Sequence, residues 1–376
     1  MEISELYRAI EFSSCAERYR DKVIAVGLSN NTQFSDLILD FKVLFAHGAK
    51  LVITAADPDF TLQREIALSN VHGTNFCLIQ AQEPQAQGSY DLSVSVPQVR
   101  AALDNGQTPV IVYHCMTEQT SRIEAAEKLG KQTAIALNAQ KVIFLSQQAA
   151  QLEEKLSKTR VTLGGFDKFV ERLKSDGLER FERSVRFVEG LLEDGIQEVA
   201  FLVGKPGQLC QEVLTHEGAG ILFGKESRGR IRQAELSDIS DIAFQIRPQI
   251  EAGRILPVSE NEIAQNIKNF WVYDIDGQIV SLLRLKDYGD WAEIATGSTI
   301  FRDRGFGRLS ELFVHVVQEA RKRKIKVIFG VGVSPKMEKA LIPQGFVEKK
   351  HSELPKAWQD QYDMSRESRA FALELS

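Results

Sequence analysis

Cysteine is scarce and never paired in this sequence: Cys15, Cys77, Cys115 and Cys210 form no CxxC motif and have no histidines at metal-ligand spacing. That pattern excludes a disulfide framework and a thiolate–imidazole metal site, so the four read as reduced core thiols and no metal is expected. Long apolar runs are missing too. None approaches the roughly 20 residues a membrane helix needs, and no membrane partner is expected. The opening stretch MEISELYRAIEFSSCAERYR lacks the basic start and apolar centre of a secretory signal, which points to a cytoplasmic protein. Positive charge is not in surplus: a net charge of −5 argues against nucleic acid as a partner. The basic run Arg321-Lys322-Arg323-Lys324 falls at an expected helix end, where cations complement the helix dipole. No internal repeat or low-complexity tract interrupts the chain.

What is present is 376 residues, too many for one ordinary core and enough for two domains. In the first half, buried-strand patterns at Lys22–Val26, Leu51–Ile53, Pro109–Tyr113, Lys141–Leu145 and Glu198–Leu202 alternate with helical periodicity, as at Phe34–His47. This predicts an α/β domain with a mostly parallel sheet over residues 1–224. The charged stretch Gln148–Gly195 reads as surface helix, and Gly218–Arg230 as an interdomain connection. Residues 225–376 have an α+β rhythm: helices at Ser237–Gly253 and Ser259–Asn269, then strands at Phe270–Asp274 and Gln278–Leu285 joined by the turn pair Asp276-Gly277. A strand at Trp291–Ile300 leads into a glycine-rich turn.

That turn, Arg302-Asp303-Arg304-Gly305-Phe306-Gly307, heads an amphipathic helix carrying Leu309, Leu312, Phe313, Val316 and Val317. Glycines let backbone amides face an anion, and a helix amino terminus adds partial positive charge, so a pyrophosphate can be held by main-chain donors with help from Arg302, Arg304 and Arg308. A structural helix cap is the other reading of the same glycines.

In its surroundings the segment resembles the acetyl-CoA turn of the GNAT acetyltransferase superfamily. The preceding hairpin, the strand Val327–Val331 and the later Gln344-Gly345-Phe346 fit, and the likeness covers nearly all of residues 231–376. Along most of its length the chain resembles the N-acetylglutamate synthase family. The residues that carry this are Ile246-Arg247-Pro248, Ala292-Glu293-Ile294-Ala295, Leu354-Pro355 and the run from Gln361 to Arg369, with residues 7–53 and 134–145 and Leu214–Gly220 in the first half. The resemblance implies an amino-acid-kinase-like domain followed by a GNAT fold, and acetyl transfer from acetyl-CoA to the α-amine of an amino acid, L-glutamate, as in arginine biosynthesis. It implies a homo-oligomer built through the first domain.

By the same resemblance, Ile300, Arg302, Arg304, Gly305, Phe306, Gly307 and Arg308 hold acetyl-CoA, and Glu293 draws the proton from the acceptor amine. Glu293 also reads as a strand carboxylate paired with Arg284 or Lys286 across the hairpin. Ser334 is implied as proton donor to the leaving thiolate, or caps the helix Pro335–Ile342. Arg366, Tyr362 and Arg247 are substrate candidates, and Glu217 and Gly220 belong to a stretch that holds an arginine effector in relatives. His315 and His351 read as surface residues. Two departures matter. Gly27 is followed by Leu28-Ser29-Asn30 and the next loop is Ala55-Ala56-Asp57-Pro58, so no glycine cradle for triphosphate remains and no phosphotransfer is expected. Pro257 and Val258 stand where an arginine is expected for the substrate carboxylate, which leaves open another small amine as acceptor, or a sensor without catalysis.

Overall fold

The computed structural model describes residues 12–13, 15–28, 34–56, 60–81, 94–113, 129–156, 159–215, 218–225, 229–275, 277–300, 303–304, 307–333 and 341–375. The chain divides into two compact units, Arg8–Glu226 and Ser227–Ser376.

In the first unit the elements run β1 (Val23–Leu28), α1 (Ile38–Ala46), β2 (Lys50–Ala56), α2 (Thr61–Val71), β3 (Phe76–Gln80), α3 (Val96–Asp104), β4 (Thr108–Tyr113), β5 (Lys141–Leu145), α4 (Ala150–Leu156), β6 (Arg160–Thr162), α5 (Phe166–Ser175), α6 (Glu182–Glu193), β7 (Glu198–Leu202), α7 (Gln208–Leu214) and β8 (Ile221–Gly224). They build an eight-stranded sheet ordered β3-β4-β2-β1-β5-β7-β8-β6. Pairing is parallel except between β7 and β8. Apolar runs such as TPVIVY in β4 are buried at every position, because helices cover both faces. One core gathers around α1 and α7, a second around α4, α5 and α6.

The structure departs from the sequence expectations in two places. The charged segment contains β6, a three-residue strand with a single large apolar side chain, too short to show a period. The stretch read as a connection contains β8, buried throughout and paired antiparallel with β7.

The second unit runs β9 (Arg230–Gln233), α8 (Ile239–Glu251), α9 (Glu260–Gln265), β10 (Phe270–Ile275), β11 (Gln278–Tyr288), β12 (Trp291–Thr299), α10 (Arg308–Lys322), β13 (Val327–Gly332), β14 (Val347–Lys349), α11 (Lys356–Gln359) and β15 (Arg369–Glu374). Its seven-stranded sheet is ordered β14-β15-β13-β12-β11-β10-β9, antiparallel apart from β12 and β13. α10 covers one face through Leu312, Phe313, Val316 and Ala320, against Leu283 and Leu285. α8 and α9 cover part of the other, against Phe270, Val272 and Leu282. Among the described residues no helix is long and apolar enough to cross a membrane, and no group of His, Cys, Asp or Glu could hold a metal ion.

Candidate active site

β12 and β13 pair only at Trp291↔Val327, Ala292↔Ile328 and Glu293↔Phe329. Beyond that rung β12 continues along β11 and β13 along β15. Parallel neighbours that stop pairing while both continue must part, so the sheet opens there, with Glu293 on the last closed rung. Just past it, Arg284 faces Ala295 while Leu282 faces Ser298, leaving Thr296 and Gly297 against Leu283 alone. This is a bulge, which frees backbone groups from the ladder. Thr296 has a φ of 52°, a left-handed value that a β-branched residue adopts only when its surroundings force it.

Glu293 is 8% exposed. Trp358 Nε1 donates to its Oε1 at 3.1 Å, and Lys286 Nζ, on the opposing residue of β11, lies 3.7 Å from its Oε2. Burial pushes the Glu293 carboxyl up. Lys286, the Trp358 bond, Arg284 and Tyr288 pull it back without cancelling the rise. The cross-strand pair expected from the sequence is therefore formed with Lys286, whereas Arg284 Nη1 donates to Glu262 at 2.9 Å. The Tyr288 hydroxyl is buried without a hydrogen-bond partner among the described residues, and its pKa is pushed up by burial and by the Glu293 carboxylate.

The glycine turn leaves β12 at Ile300, whose amide donates to Val280 O at 3.0 Å and whose side chain packs by Tyr273 and Ile275. Arg304 is exposed, and its Nε donates to Thr299 O at 3.1 Å. Gly307 precedes the first turn of α10 with a φ of 75°, open space where a Cβ would stand. The first amides of a 15-residue helix lack intrahelical acceptors, so this end attracts anions. Arg308 is held at the start of α10 by Tyr273: Nη1 donates to Tyr273 OH at 2.9 Å and the guanidinium lies 5.1 Å above that ring. Arg302, Gly305, Phe306 and Ser334 lie outside the described residues.

Tyr362 stacks on Trp358 at 4.4 Å and donates to Ser368 Oγ at 2.9 Å, so it joins the Glu293 cluster through the indole. His351 is no free surface residue: it stacks on Trp358 at 5.9 Å, and its Nε2 lies 3.1 Å from Ser368 Oγ. His315 packs on Trp271 at 4.9 Å. Arg366 Nη2 donates to Gly253 O at 2.8 Å, tying the C-terminal segment to the turn after α8. Arg247 lines an open cavity of about 430 Å³ between α8 and α9 with Val258, Ser259 and Glu260. Sequence reasoning missed Trp358 and the strained Thr296. The only hint was the spacing of Trp358 four residues before Tyr362.

In the first unit Glu217 lies outside the described residues. Gly220 is explained by packing, since a Cβ there would meet Phe201 O at 2.0 Å. The amides of Ala219 and Gly220 donate to Glu212 Oε2 at 2.9 and 3.3 Å. Leu28 points into the core.

No family model matches the sequence. The chain is similar to the amino-acid acetyltransferase of Neisseria meningitidis serogroup A, 29% identical over 238 residues, covering 61% of this chain and 52% of the relative. The amino-acid acetyltransferase of Vibrio vulnificus is 28% identical over 262 residues, covering 66% of this chain and 58% of the relative. The matches thus span just over half the length of these curated relatives. Among solved structures, the N-acetylglutamate synthase from Neisseria gonorrhoeae complexed with coenzyme A and L-arginine shares the fold over 100% of both chains, with a TM-score of 0.54 at 19% identity. The resemblance read from the sequence is met by these relatives.

Proposed function

We propose that the protein is an acetyl-CoA-dependent amino-acid N-acetyltransferase of the cytoplasm, with L-glutamate as the first acceptor to test. The observation that carries this reading is Glu293: a buried carboxylate with a raised pKa, on the last rung before the sheet opens, on the strand that feeds a glycine turn and a helix amino terminus. In the reaction the amine nitrogen bonds to the thioester carbonyl carbon, the carbon–sulfur bond breaks, and the proton the nitrogen then sheds balances the one the departing thiolate takes up to become the free thiol. Glu293 takes the ammonium proton that must first be lost. Amides freed at the Thr296 bulge are suited to the carbonyl oxygen, and the turn with Gly307 and the α10 terminus to the pyrophosphate. Likeness to relatives named amino-acid acetyltransferases supports the same chemistry.

Within this reading the first unit is an amino-acid-kinase-like domain without phosphotransfer, retained for homo-oligomerisation and for an effector. L-arginine is the effector to test, because the solved synthase of the same fold holds it. A second acceptor class, a small amine other than glutamate, is favoured by Val258, which brings no charge to the cavity between α8 and α9. A screen of thiol release from acetyl-CoA across the amino acids and simple amines tests the proposal. Release that depends on an amino acid is expected, and no release with any acceptor would overturn it.

A further inference from the structure

The face of the sheet that carries Glu293 also carries a buried cation. Arg284 on β11 stands opposite Phe270 of β10 and Ala295 of β12. Alternation along the strand places Lys286 and Tyr288 on the same face, opposite Glu293 and Trp291. Arg284 is thus one same-face position, about 7 Å along the strand, from the Lys286–Glu293 rung. It is 4% exposed, its guanidinium 5.2 Å above the Phe270 ring. Its carboxylate partner Glu262, on the short helix α9, has a side chain 42% exposed. The Arg284 Nε is buried and has no acceptor among the described residues.

A guanidinium stays charged and offers five N–H donors in a fork that matches a carboxylate. Holding one out of water with an idle donor and a half-solvated counter-charge is unfavourable unless something else completes its hydrogen bonds. We infer that Arg284 binds the carboxylate of the amino-acid acceptor, and that Glu262 occupies this position until the acceptor displaces it. The inference rests on reading Glu293 as the base of an acetyltransferase. An amino acid whose carboxylate takes the Arg284 fork directs its amine along the strand toward Glu293. Glu262 is suited to leave because it already borders water, where a carboxylate is readily solvated. It also acts as a filter, since a neutral acceptor gains too little from Arg284 to displace a resident carboxylate. This supplies the cation that Pro257 and Val258 lack.

Calorimetric binding to the full chain saturated with coenzyme A tests this without turnover, using L-glutamate, L-glutamine and the α-amide of L-glutamate as probes. The parent is expected to bind L-glutamate about tenfold or more tightly than at least one of the amides, and R284M, which keeps a long side chain over Phe270, to bring that ratio within about threefold. In E262Q the internal competitor is neutral, and L-glutamate should bind several-fold more tightly. If R284M does not fold, R284Q, which keeps a polar side chain without the charge, is read in the same way. An absent preference in the parent, a preference unchanged in the Arg284 variant, or weaker or unaltered glutamate binding in E262Q would overturn the inference. Arg284-dependent discrimination in a protein that releases no thiol would instead overturn acetyl transfer alone, and thiol release with discrimination untouched by the substitution would overturn only the inference.

Discussion

Glu293 combines an ion pair, an indole hydrogen bond and burial, and the balance of the three sets its basicity. Glu293→Gln keeps the shape and the acceptor for Trp358, so the fold should persist while amino-acid-dependent turnover falls by about 10²–10⁴. In the parent, rate should decline on the acid side at a higher pH than for an ordinary carboxylate, because burial raises this carboxyl and protonation removes the base. In the variant that acid limb disappears, and the deficit shrinks as pH rises and the amine arrives deprotonated. A pH series of kcat/KM on both proteins checks this, and parallel profiles would remove Glu293 from the chemistry. Asp241 offers a stability test. Burial, then the neighbouring Asp238, pushes its carboxyl up to about 6. A raised carboxyl favours folding while protonated, so its contribution, complete below about 3.9, is lost as pH rises through about 6. Asp241→Asn should therefore raise the melting temperature at neutral pH, by the equivalent of about 1–2 kcal/mol after screening, and leave it unchanged in acid. The sequence marked Glu293 through the family resemblance, which places the base on the strand that runs into the glycine turn. It gave no sign of Trp358 at the carboxylate, since that contact joins positions 65 residues apart.

Among the elements, α10 and its glycine turn carry the cofactor reading. Gly307 is exposed and free of neighbours, so a side chain there meets no clash, only a φ of 75° that L residues resist. Gly307→Val should cost about 1–2 kcal/mol of stability through backbone strain. It should also reduce the rise in melting temperature that coenzyme A gives the parent, since the first amides of α10 would be re-aimed. A full coenzyme A shift in the variant would separate the turn from cofactor binding. The long amphipathic helices were legible because a stripe such as Leu312, Phe313, Val316 and Val317 repeats at helical spacing. β6 and β8, with three and four residues, were not legible, because so few positions show no period and glycine on both sides of β8 imitates a linker. The opening between β12 and β13 was invisible in sequence for a different reason: both strands read as continuous, and only their register shows where pairing stops.

At the scale of the whole molecule, each unit has its own organising device. In the first it is a buried charge network. Lys141 Nζ donates to Glu212 at 2.8 Å and lies 3.4 Å from Glu198, which accepts from Tyr19 and Arg18 at 2.9 Å each. Burial pushes the Glu198 carboxyl up, but Arg18, Lys141 and Arg160 outweigh it and hold it well below the usual range. Its contribution to stability is therefore present above the unfolded carboxyl pKa and lost as pH falls below it. Lys141→Met removes the cation shared by two buried carboxylates and should cost about 3–5 kcal/mol, read as a fall in denaturant midpoint. A loss under about 1 kcal/mol would show that the charges are solvated. In the second unit the device is the short pairing of β12 with β13. Mechanically the sheet is two plates, one of four strands and one of three, riveted by three rungs. A molecule lodged across the gap acts as a further rivet. Its arrival would register as slower amide exchange along β15, a strand it does not touch, because the plate that carries β15 can no longer flex as one piece against its neighbour.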